Sequence, residues 1–348
     1  MTYFGPRDTF AAGTDAPSEL VWEVRGSAPA GTASRATVAI PTFKRFDTLL
    51  EAITSAGAQT GPDAPDILIV DNEGHGDKPA AVRAALGDLR GCRVRYFVNP
   101  ANLGMFGNWN RCIELAETPW LTILNDDDIL RPDFLDRSFR ALHRFPQADG
   151  VVCKKGILDR RTIRSASSSR LLSDRLMSAV RTVLRRAVSS GGVVTVDPRR
   201  LFFGNVLGNG AGFLFRRDAA VRLGGYDAVE WPSADFLFYI RMAVGGRLLW
   251  LDERLADVGL GDNESMAPDV LRRFVIQLHE VREQMIGSIV PLDWRRMLPL
   301  IAANHILATE LSWGVRLDPS DVGRELGMEL PLPSPIHEHL LQIRLGLV

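Results

Sequence analysis

The stretch WLTILNDDDILRP, from Trp120 to Pro132, decides the fold class of this chain. It begins as a short apolar run typical of a buried strand and passes directly into Asp126, Asp127 and Asp128. Adjacent carboxylates repel one another, so their position at a strand end requires a compensating partner. One interpretation is a divalent metal, because Mg²⁺ and Mn²⁺ prefer hard oxygen ligands and use carboxylates together with phosphate oxygens. The other interpretation is an acidic turn that caps the following helix.

Three similar apolar runs precede this stretch, with helical patterns between them. The runs are Ala36 to Ile40, Asp66 to Val70, and Val94 to Val98. Strands that alternate with helices predict an α/β fold with a doubly wound, mostly parallel sheet flanked by helices. Ligands bind such sheets beyond the carboxyl ends of the strands, where Pro41-Thr42, Asp71-Asn72 and the three aspartates follow.

Composition excludes several classes of protein. The 348 residues are 46% hydrophobic, which suffices for a full globular core, and the net charge of −1 disfavours nucleic acid as a partner. The three cysteines are widely spaced and lack zinc-ligand spacing, so free thiols in a reducing cytoplasm are expected. The sequence shows neither a secretory signal pattern nor an apolar run of about 18 residues, which predicts a cytoplasmic protein.

Four ordered blocks in residues 36–145 resemble the donor half of the family 2 glycosyltransferases, which have the GT-A fold. The blocks are Ile40-Pro41-Thr42-Phe43-Lys44-Arg45, Ile69-Val70-Asp71-Asn72, Asn102-Leu103-Gly104 with Asn108-Trp109-Asn110-Arg111, and Leu124 to Asp128. The resemblance implies a nucleotide-diphospho-sugar donor, with a UDP- or dTDP-sugar favoured, and Mn²⁺ or Mg²⁺ as cofactor.

The resemblance also assigns site residues. The implied nucleotide-binding residues are Pro41, Thr42, Arg45, Asp71, Asn102, Asn110 and Asp126, and the implied metal ligands are Asp126, Asp127 and Asp128. The chain departs from the family pattern at two of its candidate positions. Asn125 replaces the first carboxylate of the common DxD motif, and Trp109 stands where many members have arginine.

The second half of the α/β region is similar to the acceptor half of the same family. Gly224-Gly225-Tyr226-Asp227 precedes Ala234-Asp235, and Asp235 falls on the general base of inverting members. Such a base is required, because the acceptor hydroxyl must lose its proton as it attacks the anomeric carbon. The alternative for Asp235 is a carboxylate stabilised at a helix N-terminus. Asp262, in a later loop, is predicted either to contact metal or phosphate or to cap the next helix.

The resemblance and the composition together predict three regions. They are a loosely ordered leader (1–34), a GT-A domain (35–262) with nucleotide-sugar (35–145) and acceptor (146–262) halves, and a helical C-terminal extension (263–348). The acceptor half contains an Arg-rich insertion, 159–190. Its arginines form either a solvated helix face or a surface that binds an anionic acceptor, a pyrophosphate-linked lipid or the inner face of a membrane.

The predicted function is sugar transfer to a hydroxyl acceptor, with inversion, in polysaccharide or glycoconjugate biosynthesis. The acceptor is a glycan, a lipid-linked sugar or a small molecule, and the sugar and the oligomeric state stay open. A non-catalytic nucleotide-sugar or glycan-binding module with the same fold is the alternative. A sugar-phosphate nucleotidylyltransferase is disfavoured because Pro41 to Arg45 stand where its Gly-rich loop would be. A dinucleotide-dependent dehydrogenase is disfavoured because no GxGxxG motif follows the first strand.

Overall fold

The computed structural model describes residues 3–5, 8–10, 17–26, 34–61, 64–74, 76–87, 89, 91–160, 192–245, 247–261 and 267–347. Residues 161–191, which hold nearly all of the Arg-rich insertion, and Asp262 lie outside these ranges. The chain divides into two compact units. The first comprises residues 1–5, 160–206 and 260–348, and the second comprises residues 6–159 and 207–259.

One sheet forms the framework of the second unit. In chain order the strands are β1 (Glu19–Arg25), β2 (Ala36–Thr42), β3 (Asp66–Asp71), β4 (Arg93–Val98), β5 (Trp120–Ile123), β6 (Ile129–Leu130), β7 (Gly150–Asp159), β8 (Val193–Thr195), β9 (Phe213–Arg216) and β10 (Leu248–Leu260). All except β8, which belongs to the first unit, follow one another in space as β1-β4-β3-β2-β5-β9-β7-β10-β6.

The centre of this sheet is parallel. Strands β4, β3, β2 and β5 pair in parallel, and every residue of β2 and β3 is buried. Near-continuous apolar runs are typical of strands covered on both faces, so the predicted doubly wound arrangement is confirmed here. Strand β1 adds an antiparallel edge, and β9 and β7 extend the other side in antiparallel pairing. In register, Thr42 at the end of β2 lies opposite Asp71 at the end of β3.

Helices connect these strands. They are α1 (Asp47–Gly57), α2 (Lys78–Ala85), α3 (Gly104–Leu115), α4 (Phe134–Arg144), α5 (Arg217–Arg222) and α6 (Ala234–Val244). The amphipathic pattern of α1 places Leu49, Ala52 and Ile53 in the core. The cysteines Cys92, Cys112 and Cys153 are free and buried.

The C-terminal part of the first unit is helical, as predicted. Its helices are α7 (Pro268–Met285), α8 (Leu298–Trp313), α9 (Pro319–Leu326) and α10 (Pro335–Arg344). Helices α8 and α9 end at Gly314 and Gly327, whose left-handed backbone is favourable only for glycine. Val275, Ile306 and Val322 form a small shared core. Within the described ranges, every helix is too short or too polar to cross a lipid bilayer.

Candidate active site

Polar side chains from three strand ends meet at the carboxyl edge of the parallel sheet. The hydroxyl of Thr42, the last residue of β2, donates a 2.7 Å hydrogen bond to Oδ2 of Asp126, which follows β5. Asp71, the last residue of β3, and Thr42 both accept hydrogen bonds from the Lys78 ammonium, at 3.2 and 3.3 Å. Ligands bind at this edge in open α/β sheets, so the polar groups lie where a nucleotide would bind.

Arg45 joins the first two aspartates of the triplet. Its Nη1 lies 2.9 Å from Oδ1 of Asp126 and 2.6 Å from Oδ2 of Asp127. The guanidinium therefore offsets the repulsion between two adjacent carboxylates. Burial raises the pKa of Asp126, while the Thr42 hydroxyl and Arg45 lower it. Of the two aspartates that Arg45 contacts, Asp127 has the more accessible side chain, which is 15% exposed against 8% for Asp126.

Asp128 is buried, and both of its carboxylate oxygens accept hydrogen bonds from neighbouring residues of the protein. Its Oδ1 accepts the Gly259 amide at 2.9 Å, and its Oδ2 accepts Nδ2 of Asn125 at 3.0 Å. Burial and the neighbouring Asp127 raise the pKa of Asp128 to about 7. A Cβ at position 259 would overlap the Asp127 carbonyl, so only glycine lets β10 approach the triplet this closely. Asp128 and Asn125 thus stabilise the loop that presents Asp126 and Asp127.

Asp126 and Asp127, the two carboxylates that Arg45 contacts, suit a magnesium or manganese ion shared with phosphate oxygens better than a closed metal site. In the part of the chain that the structure describes, no three His, Cys, Asp or Glu side chains come together as a metal-binding group. Mg²⁺ usually takes one or two carboxylates and completes its coordination with substrate phosphates and water. Asp127 is the more accessible of the two carboxylates that Arg45 contacts. Asp126 accepts hydrogen bonds from Thr42 and Arg45 and would exchange one of them for the metal, whereas Asp128 is turned into the fold, where Gly259 and Asn125 engage both of its oxygens.

The Asp71 carboxylate is buried and precisely oriented by three donors. Oδ2 accepts the Tyr96 hydroxyl at 2.6 Å, and Oδ1 accepts the Glu73 amide at 3.0 Å and Lys78. The Lys78 ammonium also lies 3.4 Å from Glu73. Sequence reasoning missed Lys78, because a lysine at the start of a helix is commonly a solvent-exposed residue.

Several of the predicted nucleotide contacts instead support the local structure. Asn102 accepts hydrogen bonds from Asn72 at 2.6 Å and from the Gly104 amide at 2.9 Å. Asn110 binds the main chain of Tyr226 in both directions, accepting its amide at 2.8 Å and donating to its carbonyl at 2.7 Å. Trp109 is 6% exposed and packs edge-on against the Tyr226 ring. Pro41 is buried in β2. Their direct contact with a nucleotide therefore stays a prediction.

Asp235 lies in the first turn of α6 and is partly buried. Its Oδ1 accepts the Phe236 amide at 2.7 Å. Burial raises the pKa of Asp235 to about 6, while the Phe236 amide and the Lys155 ammonium lower it. A carboxylate with a pKa near the working pH can accept a proton from a hydroxyl, and a perturbed pKa is common at functional sites. Tyr226 and Tyr239 are the other titratable groups that interact with Asp235.

Lys155, on β7, links the triplet and Asp235 electrostatically. Its ammonium donates to the carbonyl of Leu207 at 2.5 Å and to that of Asn209, and lies 3.4 Å from the Tyr239 hydroxyl. Burial lowers the pKa of Lys155 to about 8, while Asp235 and Asp128 raise it. Sequence reasoning missed this residue. The alternation of side chains along a strand could have indicated it. Val151, Cys153 and Lys155 lie on the same face of β7, and the first two are fully buried.

The order of the strands and the helices that flank the sheet define an α/β protein of the GT-A type. Residues 37–219 match glycosyl transferase family 2, and the chain belongs to that family. The succinoglycan biosynthesis protein ExoO of Rhizobium meliloti (strain 1021) is 30% identical over 231 residues, covering 62% of this chain and 64% of ExoO. This chain therefore matches somewhat less than two thirds of the length of that relative.

Two solved structures share the fold at low identity. TarS of S. aureus, residues 1–349 in complex with UDP-GlcNAc, is 13% identical with a TM-score of 0.52, covering 85% of this chain and 76% of that one. The mannosyltransferase PcManGT of Pyrobaculum calidifontis, in complex with GDP-Man and Mn²⁺, is 18% identical with a TM-score of 0.51, covering 90% and 83%. These similarities support the GT-A fold of the chain.

Proposed function

We propose that this chain transfers a sugar from a nucleotide-diphospho-sugar to an acceptor hydroxyl, with inversion at the anomeric carbon. The observation that carries the proposal is the meeting of Asp126, Asp127 and Arg45 at the carboxyl edge of the parallel sheet, beside Asp71. ExoO is named for succinoglycan biosynthesis, which supports a saccharide acceptor here as well. The cytoplasmic location, and contact of the Arg-rich insertion with the inner face of a membrane, stay predictions.

The proposed donor site binds the nucleobase at Asp71 and Lys78, where the buried Asp71 carboxylate would exchange a present hydrogen bond, such as that from Lys78, for one from the base. A carboxylate accepts a ring N–H, and an ammonium donates to a ring carbonyl. Uracil and thymine present that N–H beside a carbonyl, and so does guanine, whereas cytosine and adenine have an unprotonated ring nitrogen there. The Asp71–Lys78 pair therefore favours a UDP-, dTDP- or GDP-sugar over a CDP- or ADP-sugar.

The diphosphate is proposed to bind at the acidic pair. Asp127, with Asp126, would hold Mn²⁺ or Mg²⁺, which supplies positive charge that offsets the charge developing on the departing diphosphate. Arg45 is half-exposed and contacts both carboxylates, so it is positioned to donate hydrogen bonds to phosphate oxygens.

Asp235 is the proposed general base. It would accept the proton of the acceptor hydroxyl as the oxygen forms its bond to the anomeric carbon and the bond to the diphosphate breaks. Lys155 opposes the effect of burial on the pKa of Asp235 and so keeps a larger fraction of this carboxylate ionised. Its hydrogen bonds to the carbonyls of Leu207 and Asn209 also order the loop that contains these two residues.

The test is release of nucleoside diphosphate from UDP-, dTDP- and GDP-sugars in the presence of Mn²⁺ and a panel of saccharide acceptors. We expect Asp235→Asn to lower the rate by about 10²-fold or more, as loss of a general base does, while nucleotide binding is retained. Asp218→Asn, at an exposed carboxylate, is the matched control. A wild-type chain that binds a nucleotide but never releases diphosphate would favour the non-catalytic binding module.

A further inference from the structure

Arg282, on α7, carries a positive charge in the interior of the first unit. Arg282 is only 2% exposed to solvent. Its Nε donates a 2.8 Å hydrogen bond to the Phe202 carbonyl. Its Nη1 is buried and has no acceptor among the residues that the structure describes. Burial lowers the pKa of Arg282 to about 10, which still leaves the guanidinium charged at neutral pH.

The surroundings of Arg282 compensate this charge incompletely. Glu338 is the acidic group that acts on the pKa of Arg282, and its two oxygens accept hydrogen bonds from Asn304 at 2.7 Å and Gln342 at 3.2 Å. Within the described ranges no carboxylate forms an ion pair with the guanidinium. Phe202, whose main-chain carbonyl accepts the hydrogen bond from Arg282, packs its ring against Trp294. A buried charge is costly without a bound counter-charge.

Two histidines in the same unit present further unsatisfied nitrogens near Arg282. The Nδ1 atoms of His279, on α7, and His305, on α8, are buried and have no hydrogen-bond partner in the described part of the chain. Burial, together with the Arg282 charge, lowers the pKa of both rings, for His305 to about 3. Both imidazoles are therefore neutral at physiological pH, and each retains one N–H donor.

We infer that Arg282, His279 and His305 form a binding site for a small oxyanion of the phosphate or carboxylate type. Such an anion supplies the missing counter-charge and accepts hydrogen bonds from Nη1 of Arg282 and from an imidazole N–H. A planar guanidinium suits either oxyanion, because two of its N–H groups can donate in parallel. The site consists of residues of the first unit and uses none of the groups proposed to bind the sugar donor.

The test measures the apparent melting temperature of the whole chain while inorganic phosphate replaces chloride at constant ionic strength. Parallel titrations use glycerol 3-phosphate and acetate, which separate a phosphate ester and a carboxylate from free phosphate. We expect a saturable rise of about 5 °C or more at one hundred times the Kd for at least one anion. Arg282→Met should abolish that rise. Arg273→Met, at an exposed arginine on the same helix, should preserve it.

Phosphate bound at the acidic pair and Arg45 would stabilise the wild type and Arg282→Met equally, so only the difference between them tests this inference. Equal rises in the two proteins, or no rise with any of the three anions, would overturn it. If Arg282→Met does not fold, crystals of the wild type grown with the stabilising anion decide the question. Density of the anion's shape at Nη1 supports the inference, and a single water peak there contradicts it.

Discussion

At the residue scale, Lys155 places a charge on the face of β7 that also carries the buried residues Val151 and Cys153. The three oxygens around its ammonium match the three hydrogens that it can donate. Burial raises the pKa of Asp235, and the Lys155 charge counters that rise. Loss of the charge should therefore raise the pKa of Asp235 further, because ionisation of the carboxylate would lose a favourable interaction.

We expect Lys155→Met to move the acidic limb of the pH–rate profile upward from about pH 6, the pKa of Asp235. A general base acts in its ionised form, so activity rises as the pH increases through its pKa. The variant should then show its largest loss below neutral pH and recover at higher pH. Lys154→Met is the matched control, because Lys154 is the preceding residue of β7 and its side chain is 41% exposed. An unshifted limb in Lys155→Met would contradict this role.

Lys78 and Asp71 lead to a prediction about the nucleobase. We expect UDP, dTDP or GDP to raise the melting temperature more than CDP and ADP do, since only the first three present a ring N–H beside a carbonyl. Lys78→Gln should reduce this preference, because a neutral amide replaces the ammonium that contacts Asp71. Arg83→Met, on the exposed side of α2, should leave the preference unchanged. Equal stabilisation by all five nucleotides would argue against base recognition at this pair.

At the scale of elements, the parallel half of the sheet could be predicted and the antiparallel half only in part. Strands β2 and β3 are continuous apolar runs, which a sequence pattern identifies well. In β7 and β10 the apolar pattern covers only Gly150–Cys153 and Leu248–Leu251, but the strands continue to Asp159 and Leu260. The extensions contain charged residues, including Lys154 and Asp252, whose groups approach within 3.7 Å. Long-range pairing stabilises such segments, and local apolarity does not reveal it.

The turn that precedes α6 depends on Gly225. Its φ of +64° is in the left-handed region, and a Cβ there would lie 2.5 Å from Oδ1 of Asn110. Asn110 uses that same oxygen to accept the Tyr226 amide. The family pattern suggested Asn110 as a nucleotide contact, but its amide is engaged by this turn, and that pairing could not be inferred from residues so far apart in the chain.

We expect Gly225→Ala to lower the free energy of unfolding by roughly 2–4 kcal/mol, through backbone strain plus overlap with Asn110. Gly104→Ala is the control, because its φ of +72° is similar while a Cβ there meets nothing within 4 Å. Strain alone should limit the loss in Gly104→Ala to roughly 1–2 kcal/mol. Urea unfolding of both variants measures the difference. Equal losses would mean that the contact with Asn110 contributes little.

At the scale of the whole molecule, the order of four short motifs predicted both the fold and the family. Each motif follows a strand of the parallel sheet or opens the next helix, and the family match at residues 37–219 covers all of them. The sequence does not indicate which of the three aspartates are accessible and which is held inside the fold. Their separate environments depend on Arg45 and on Gly259, which lies 131 positions after Asp128 in the chain. The contact between Asp128 and Gly259 cannot be predicted from the spacing of the three aspartates.

Metal-dependent nucleotide binding by the wild type and by Asp127→Asn tests whether the acidic pair binds metal and diphosphate. Isothermal titration with the nucleoside diphosphate that stabilises the chain most, with and without Mn²⁺, gives the two affinities. We expect Mn²⁺ to strengthen binding at least tenfold in the wild type and in the control Asp136→Asn, which changes an aspartate whose partner is Arg140 on the surface of α4. Asp127→Asn should lose the Mn²⁺ effect. Mn²⁺-independent binding, or a full Mn²⁺ effect in Asp127→Asn, would contradict the assignment of the acidic pair to metal and diphosphate.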